Sequence, residues 1–181
     1  MEIKNENKLI LAFENRSFKA PELARTILAN CLEKELLNLA LDKEQLISNR
    51  AMWVLNHCHD LEFNRIKPFY AKLINHLKNK NLHSGVIRSI LRIFQNHSIP
   101  KNYQTFMLDR CFEYIKNPSE AIAVRAFAIT IVFNISIPYP ELLNELFIVL
   151  NQLSITEESA GIRSRVKHTM KEITKLNLKR Q

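Results

Sequence analysis

AVRAFAITIVF, residues 123–133, carries one arginine, Arg125, near the head of an otherwise almost wholly apolar run. The arginine has counterparts along the chain. Asn49-Arg50-Ala51, Ile87-Arg88-Ser89, Val124-Arg125-Ala126 and Ile162-Arg163-Ser164 place arginines 38, 37 and 38 residues apart. Each is followed by Ala or Ser, and two residues further on by an apolar side chain: Trp53, Leu91, Ala128 and Val166. A fixed period near 38 residues with two amphipathic segments per period is the signature of stacked helical hairpins, each unit covering the apolar face of the next.

The segments between the arginines supply the other helix of each hairpin: Glu33–Leu41, Ile66–Leu77, Tyr103–Ile115 and Pro140–Leu153. In the second, Ile66, Phe69, Tyr70, Leu73, Ile74 and Leu77 fall at i, i+3, i+4, i+7, i+8 and i+11, one face of a helix. Proline punctuates the pattern, since its missing N–H costs nothing in a first helical turn. Pro100, Pro138 and Pro140 precede first helices, Pro118 separates the two helices of the third unit, and Pro21 opens an extra N-terminal helix from Glu22 to about Asn30. Ser84, and Ser119 with Asn117, are expected to cap helix starts. Residues 1–18 add a further short helix.

The Val/Ile-Arg-small start of each second helix, as in Val124-Arg125-Ala126 and Ile162-Arg163-Ser164, resembles the HEAT repeat, a helical hairpin related to the armadillo repeat. The resemblance spans residues 33–175, about four units. It implies an all-α, right-handed α-α superhelix forming a single domain over 1–181. Residues 1–32 would be N-terminal capping helices and 176–181 a basic tail. It implies a non-catalytic protein-interaction scaffold whose second helices line a concave face, with Arg125 hydrogen-bonding the turns between repeats. Asn49 replaces the aliphatic residue in the first unit, and of the matching turn positions Glu44 and Glu157 supply an acid whereas Leu82 and Ser119 do not.

With each arginine at zero on a 3.6-residue wheel, positions −1, +2, +3 and +6 share the core face; in the third unit these are Val124, Phe127, Ala128 and Ile131. Positions +4 and +8 lie opposite. The third unit puts Ile129 and Phe133 there, the first Val54, the second Arg92, and the fourth Lys167 and Lys171. A helix that is apolar all round is either covered on every side or exposes a patch. If exposed, Val54, Ile129 and Phe133 with a rim of Arg92, Lys167 and Lys171 would suit an acidic or amphipathic peptide. Burial is the competing expectation.

Net charge is +8, and residues 162–181 alone carry +6. Arg163, Lys167, Lys171, Lys175 and Lys179 recur every four residues, a single helical stripe. Such a stripe tracks phosphates in nucleic-acid-binding proteins, and the helical-repeat class includes DNA glycosylases with basic concave surfaces. Here no aromatic side chain interleaves the bases and no aspartate shares the helix, so neither base stacking nor a glycosylase carboxylate is indicated. The competing reading is a solvated face.

Other chemistry is sparse. Two glycines, Gly85 and Gly161, leave no room for phosphate-cradling loops or dinucleotide fingerprints. Cys31, Cys58 and Cys111 are isolated and odd in number, which reads as reduced, half-buried apolar residues. His57-Cys58-His59-Asp60 offers metal-capable groups, but adjacent residues on a helix diverge, so no metal site, Cys–His nucleophile or cofactor is expected. Trp53, at the +3 position, is expected in the core. The opening residues lack the apolar length of a signal peptide, and no apolar run spans a membrane; a cytoplasmic protein is the expectation.

Overall fold

The computed structural model describes residues 3–15, 17–157 and 159–178, and every regular element among them is helical. The chain divides into two compact units, Met1–Ile93 and Phe94–Gln181.

The first unit opens with α1 (Ile3–Glu14) and α2 (Ala20–Ala29), the latter with Pro21 in its first turn. A hairpin follows, α3 (Glu33–Ala40) and α4 (Gln45–Leu61), with α2 packed on α4. Glu44 caps α4: its carboxylate accepts from the N–H groups of Leu46 (3.2 Å) and Ile47 (2.7 Å), which have no partner inside the helix. The next first helix is not continuous as its periodicity predicts. It runs as α5 (Phe63–Ile66), a 3₁₀ turn (Lys67–Phe69) and α6 (Tyr70–His76). Pro68 is the cause, because it has no N–H to donate and its ring crowds the preceding turn. The apolar stripe survives the break: Ile66, Tyr70, Leu73, Ile74 and Leu77 are all buried. α7 (Ser84–Phe94) is the second helix of this hairpin.

The second unit holds the hairpins α8 (Lys101–Lys116) with α9 (Ile122–Ser136), and α10 (Pro140–Thr156) with α11 (Ala160–Leu178). α9 packs against α8, α10 and α11. Val124, Ala128 and Ile131 bury the expected face, and Phe127 is half-buried. Each fully buried aliphatic side chain contributes about 1.5–3 kcal/mol. Met107, Cys111, Leu143, Leu146, Leu150, Ile162, Val166 and Ile173 belong to the same core. Ser119 does not cap α9. Its own N–H donates to Asn117 Oδ1 (3.0 Å) in the preceding turn, and Ala121 stands at the cap position without a side-chain hydrogen bond. Residues 176–178, expected in a tail, complete α11.

Candidate functional site

Three of the four repeat arginines, Arg50, Arg125 and Arg163, meet helix ends or turns. Helix ends leave carbonyls without partners, and a guanidinium has donors enough to satisfy several. Arg50 donates to the carbonyl of Phe13 in the last turn of α1 and to that of Asn15 just after it (3.2 Å for the second), and its guanidinium lies 5.6 Å from the Phe18 ring centre. Arg125 is almost wholly buried. It donates to the Ile115 carbonyl (3.3 Å) at the end of α8 and pairs with Glu157 at 2.6 Å, in the turn before α11. The acid of that turn therefore meets the arginine of the preceding repeat. Arg163 reaches the Glu157 carbonyl at 3.4 Å. Burial alone would raise the Glu157 carboxyl, but the Ser159 N–H and the Arg125 guanidinium outweigh it and hold the group below the usual carboxylate range. One clamp has no place in the 38-residue pattern: Arg65 pairs with buried Glu33 and donates to the Leu28 carbonyl (2.7 Å).

Of the six residues expected to form one partner-binding face, the two aliphatic ones are interior. Val54 and Ile129 are 0% exposed. Insertion of a partner side chain against Ile129 is thus corrected: α9 is apolar all round because it is covered by three helices. Phe133 is half-buried. Arg92 is held by both carboxylate oxygens of Asp60 (3.1 and 2.7 Å) and by Asn56 Oδ1 (3.1 Å). Lys167 and Lys171 are exposed on α11.

The basic stripe is exposed over its described residues. Arg163, Lys167, Lys171 and Lys175 all face out, and Lys175 pairs with Glu172 at 2.7 Å. Lys179 lies outside the described residues. The buried face of the same helix is Ile162, Val166, Thr169 and Ile173, so the basic stripe follows from amphipathicity.

The His57–Asp60 run points four ways. His57 packs its ring beside Trp53, Cys58 Sγ donates to the Ala24 carbonyl (3.7 Å), His59 Nε2 lies 2.8 Å from Tyr70 Oη, and Asp60 binds Arg92. Burial pushes the Cys58 thiol up to about 12 and raises Cys111 too, so both stay thiols at neutral pH. Cys31 departs from the half-buried expectation: it is exposed, in a turn with φ 55°. Trp53 is not a core residue. It is 50% exposed, with its edge packed on Phe18 (centroids 5.6 Å apart). In the first repeat the +3 position meets the link between α1 and α2, which covers one side of the indole only.

A hollow of about 380 Å³ lies against His76 and His83 in the first unit. Its polar groups are largely committed to turns: Asp42 accepts from the Glu44 N–H, Asn79 from Asn81 and His83 from Gly85. A second, of about 410 Å³, lies between α10 and α11, lined by Asn144, Phe147, Ile148, Thr174, Asn177 and Leu178. The stripe of Leu142, Leu143, Leu146, Phe147, Leu150 and Leu153 does not contain Ile148 or Ile155. Both are exposed, and their seven-residue spacing was the legible signal of a second apolar line on α10.

Among the described residues, no three His, Cys, Asp or Glu side chains cluster to hold a metal ion, and no helix is long and apolar enough to cross a membrane. The family model of the HEAT repeat domain matches residues 8–173. No curated protein matches the chain, and no solved structure does.

Proposed function

From membership of the HEAT repeat family, to which this chain belongs, we propose that it is a protein-binding scaffold whose contact surface is the outward face of α11. HEAT repeat domains generally mediate protein–protein interactions and are typically non-enzymatic. The observation that carries the reading is the fate of the six expected contact residues. The two aliphatic ones are interior and Arg92 is engaged, whereas Lys167 and Lys171 stand exposed and one turn apart. A partner presenting carboxylates meets this face with complementary charge, which raises association rate and selects partner sign.

The test is fluorescence anisotropy with a labelled Glu-rich peptide, beside labelled single- and double-stranded DNA and RNA, at about 50 and 200 mM salt. The peptide should bind, and Lys167→Glu with Lys171→Glu should abolish that binding. Nucleic acid bound more tightly than the peptide, with a steep loss between the two salt concentrations, would overturn the reading in favour of phosphate tracking by the same stripe.

A further inference from the structure

α10 carries two lines of apolar side chains, one turned into the core of the second unit and one turned away from it. The buried line is Leu143, Leu146 and Leu150. On the other side of the helix Ile148 is 69% and Ile155 80% exposed, two turns apart on one face. Singly exposed apolar residues are ordinary. These differ in what lies beside them. Ile148, with Phe147, forms one wall of the 410 Å³ hollow, and Thr174 and Leu178 of α11 form the other; Leu178 is itself 67% exposed.

The α11 wall has a register that matters. Lys171, Thr174 and Leu178 fall at i, i+3 and i+7, and Lys167 lies one turn before Lys171, so all four share one side of the helix. Lys175 lies one turn before the hollow-lining Leu178. An apolar hollow therefore continues into a rail of exposed ammonium groups along one wall. Glu141 and Glu145 lie seven and three residues before Ile148, on the same side of α10, so the opposite wall is acidic and the charge is polarised across the two helices.

We infer that the hollow between α10 and α11, with the lysine rail of α11, docks an acidic amphipathic helix of a partner protein. This rests on the reading of α11 as a protein-contact face and deepens it by naming the form of the partner. A helix laid along the two walls presents apolar residues at i, i+3/i+4 and i+7 to Phe147, Ile148 and Leu178, the spacing by which helices are read in grooves. Its carboxylates, one turn apart on the flank, face Lys167 and Lys171. The exposed lysines of the rail attract an acidic helix. The apolar anchors supply affinity and the lysines supply orientation.

The experiment uses the full chain and two labelled synthetic peptides of about 18 residues, five helical turns. One carries Leu at i, i+3, i+4 and i+7 spacing with Glu on the remaining positions that flank it. The other is its scrambled isomer, equal in charge and composition. The amphipathic peptide should bind at least about tenfold more tightly than the scramble. Ile148→Asp with Leu178→Asp should remove that advantage, so that the two peptides bind alike, and a thermal melt of the variant should match the wild type because both side chains are exposed. Lys167→Glu with Lys171→Glu should weaken both peptides. Equal binding of the two peptides overturns this inference but leaves the charged contact face standing. An advantage that survives Ile148→Asp with Leu178→Asp places the helix elsewhere and overturns it too. Binding of neither peptide removes both readings.

Discussion

α9 and α11 begin with the same three-residue pattern, Val124-Arg125-Ala126 and Ile162-Arg163-Ser164, and occupy the same place in their hairpins. They differ in what surrounds them. α9 has α8, α10 and α11 against it, and its +4 residue, Ile129, is interior; α11 packs on α9 and α10, and its +4 residue, Lys167, faces out. The head arginines differ in step. Arg125 is buried on the Glu157 carboxylate, while exposed Arg163 meets the carbonyl of the same residue. The repeat motif thus specifies a hairpin position, and the number of neighbours decides whether that position works as core or as surface.

The largest effect expected is at Ile129. Ile129→Asp places a carboxylate at a fully buried position, which costs more than about 4 kcal/mol. The variant should lose its cooperative thermal transition by circular dichroism. A folded, near-wild-type melt would show that α9 is open on the side assigned to the core.

Next comes the buried ion pair. Arg125→Ala leaves Glu157 desolvated and unpaired, with a cost of about 3–5 kcal/mol. Replacing the pair together, Arg125→Met with Glu157→Gln, should recover most of that loss, because the penalty lies in the abandoned charge. Denaturant melts of the single and double variants measure the difference. A double variant no more stable than Arg125→Ala would instead locate the loss at the Ile115 carbonyl.

The same carboxylate predicts a pH dependence of smaller size. Glu157 titrates below its ordinary value of 4.5 in the fold, so it binds fewer protons folded than unfolded. Its stabilisation is fully present above pH 4.5 and is lost as pH falls from there through the folded pKa. Wild type should therefore lose stability more steeply than Glu157→Gln below pH 4.5, with parallel profiles above it. Parallel profiles throughout would mean that Arg125 does not hold the ionised form.

These contrasts mark what the sequence could carry. The 38-residue period placed all four hairpins, because arginine, small and apolar residues recur where the stack demands them. Local chemistry modified it where one residue overruled the pattern: Pro68 split a helix whose apolar stripe was continuous. Exposure was the illegible part. Trp53 and Ala128 share the +3 position, yet the indole is half-exposed and the alanine interior, since the first repeat is covered by a short link and the third by whole helices. The same holds for Ile129 and Val54, whose outward wheel position looks like a patch until the neighbouring helices are in place. Arg65 with Glu33 was unreadable for another reason: its 32-residue separation fits no period, and nothing in either residue names the other. The α10–α11 hollow needed two helices to be brought together before Ile148 and Leu178 became one feature.

The smallest effect expected is the most informative partner to the first. Lys167→Asp makes at the +4 position of α11 the substitution that Ile129→Asp makes in α9. An exposed lysine with no ion pair among the described residues loses only solvated charge on replacement, so stability should move by less than about 0.5 kcal/mol. The side chain contributes no buried area whose loss would show in a melt. What should change is the binding of the Glu-rich peptide, since the new carboxylate interrupts the rail between Arg163 and Lys171. A variant that melts as wild type and binds less peptide assigns Lys167 to the surface in both structure and use. A variant that unfolds like Ile129→Asp would mean that something covers α11 as the other helices cover α9, and the two +4 positions would then be equivalent after all.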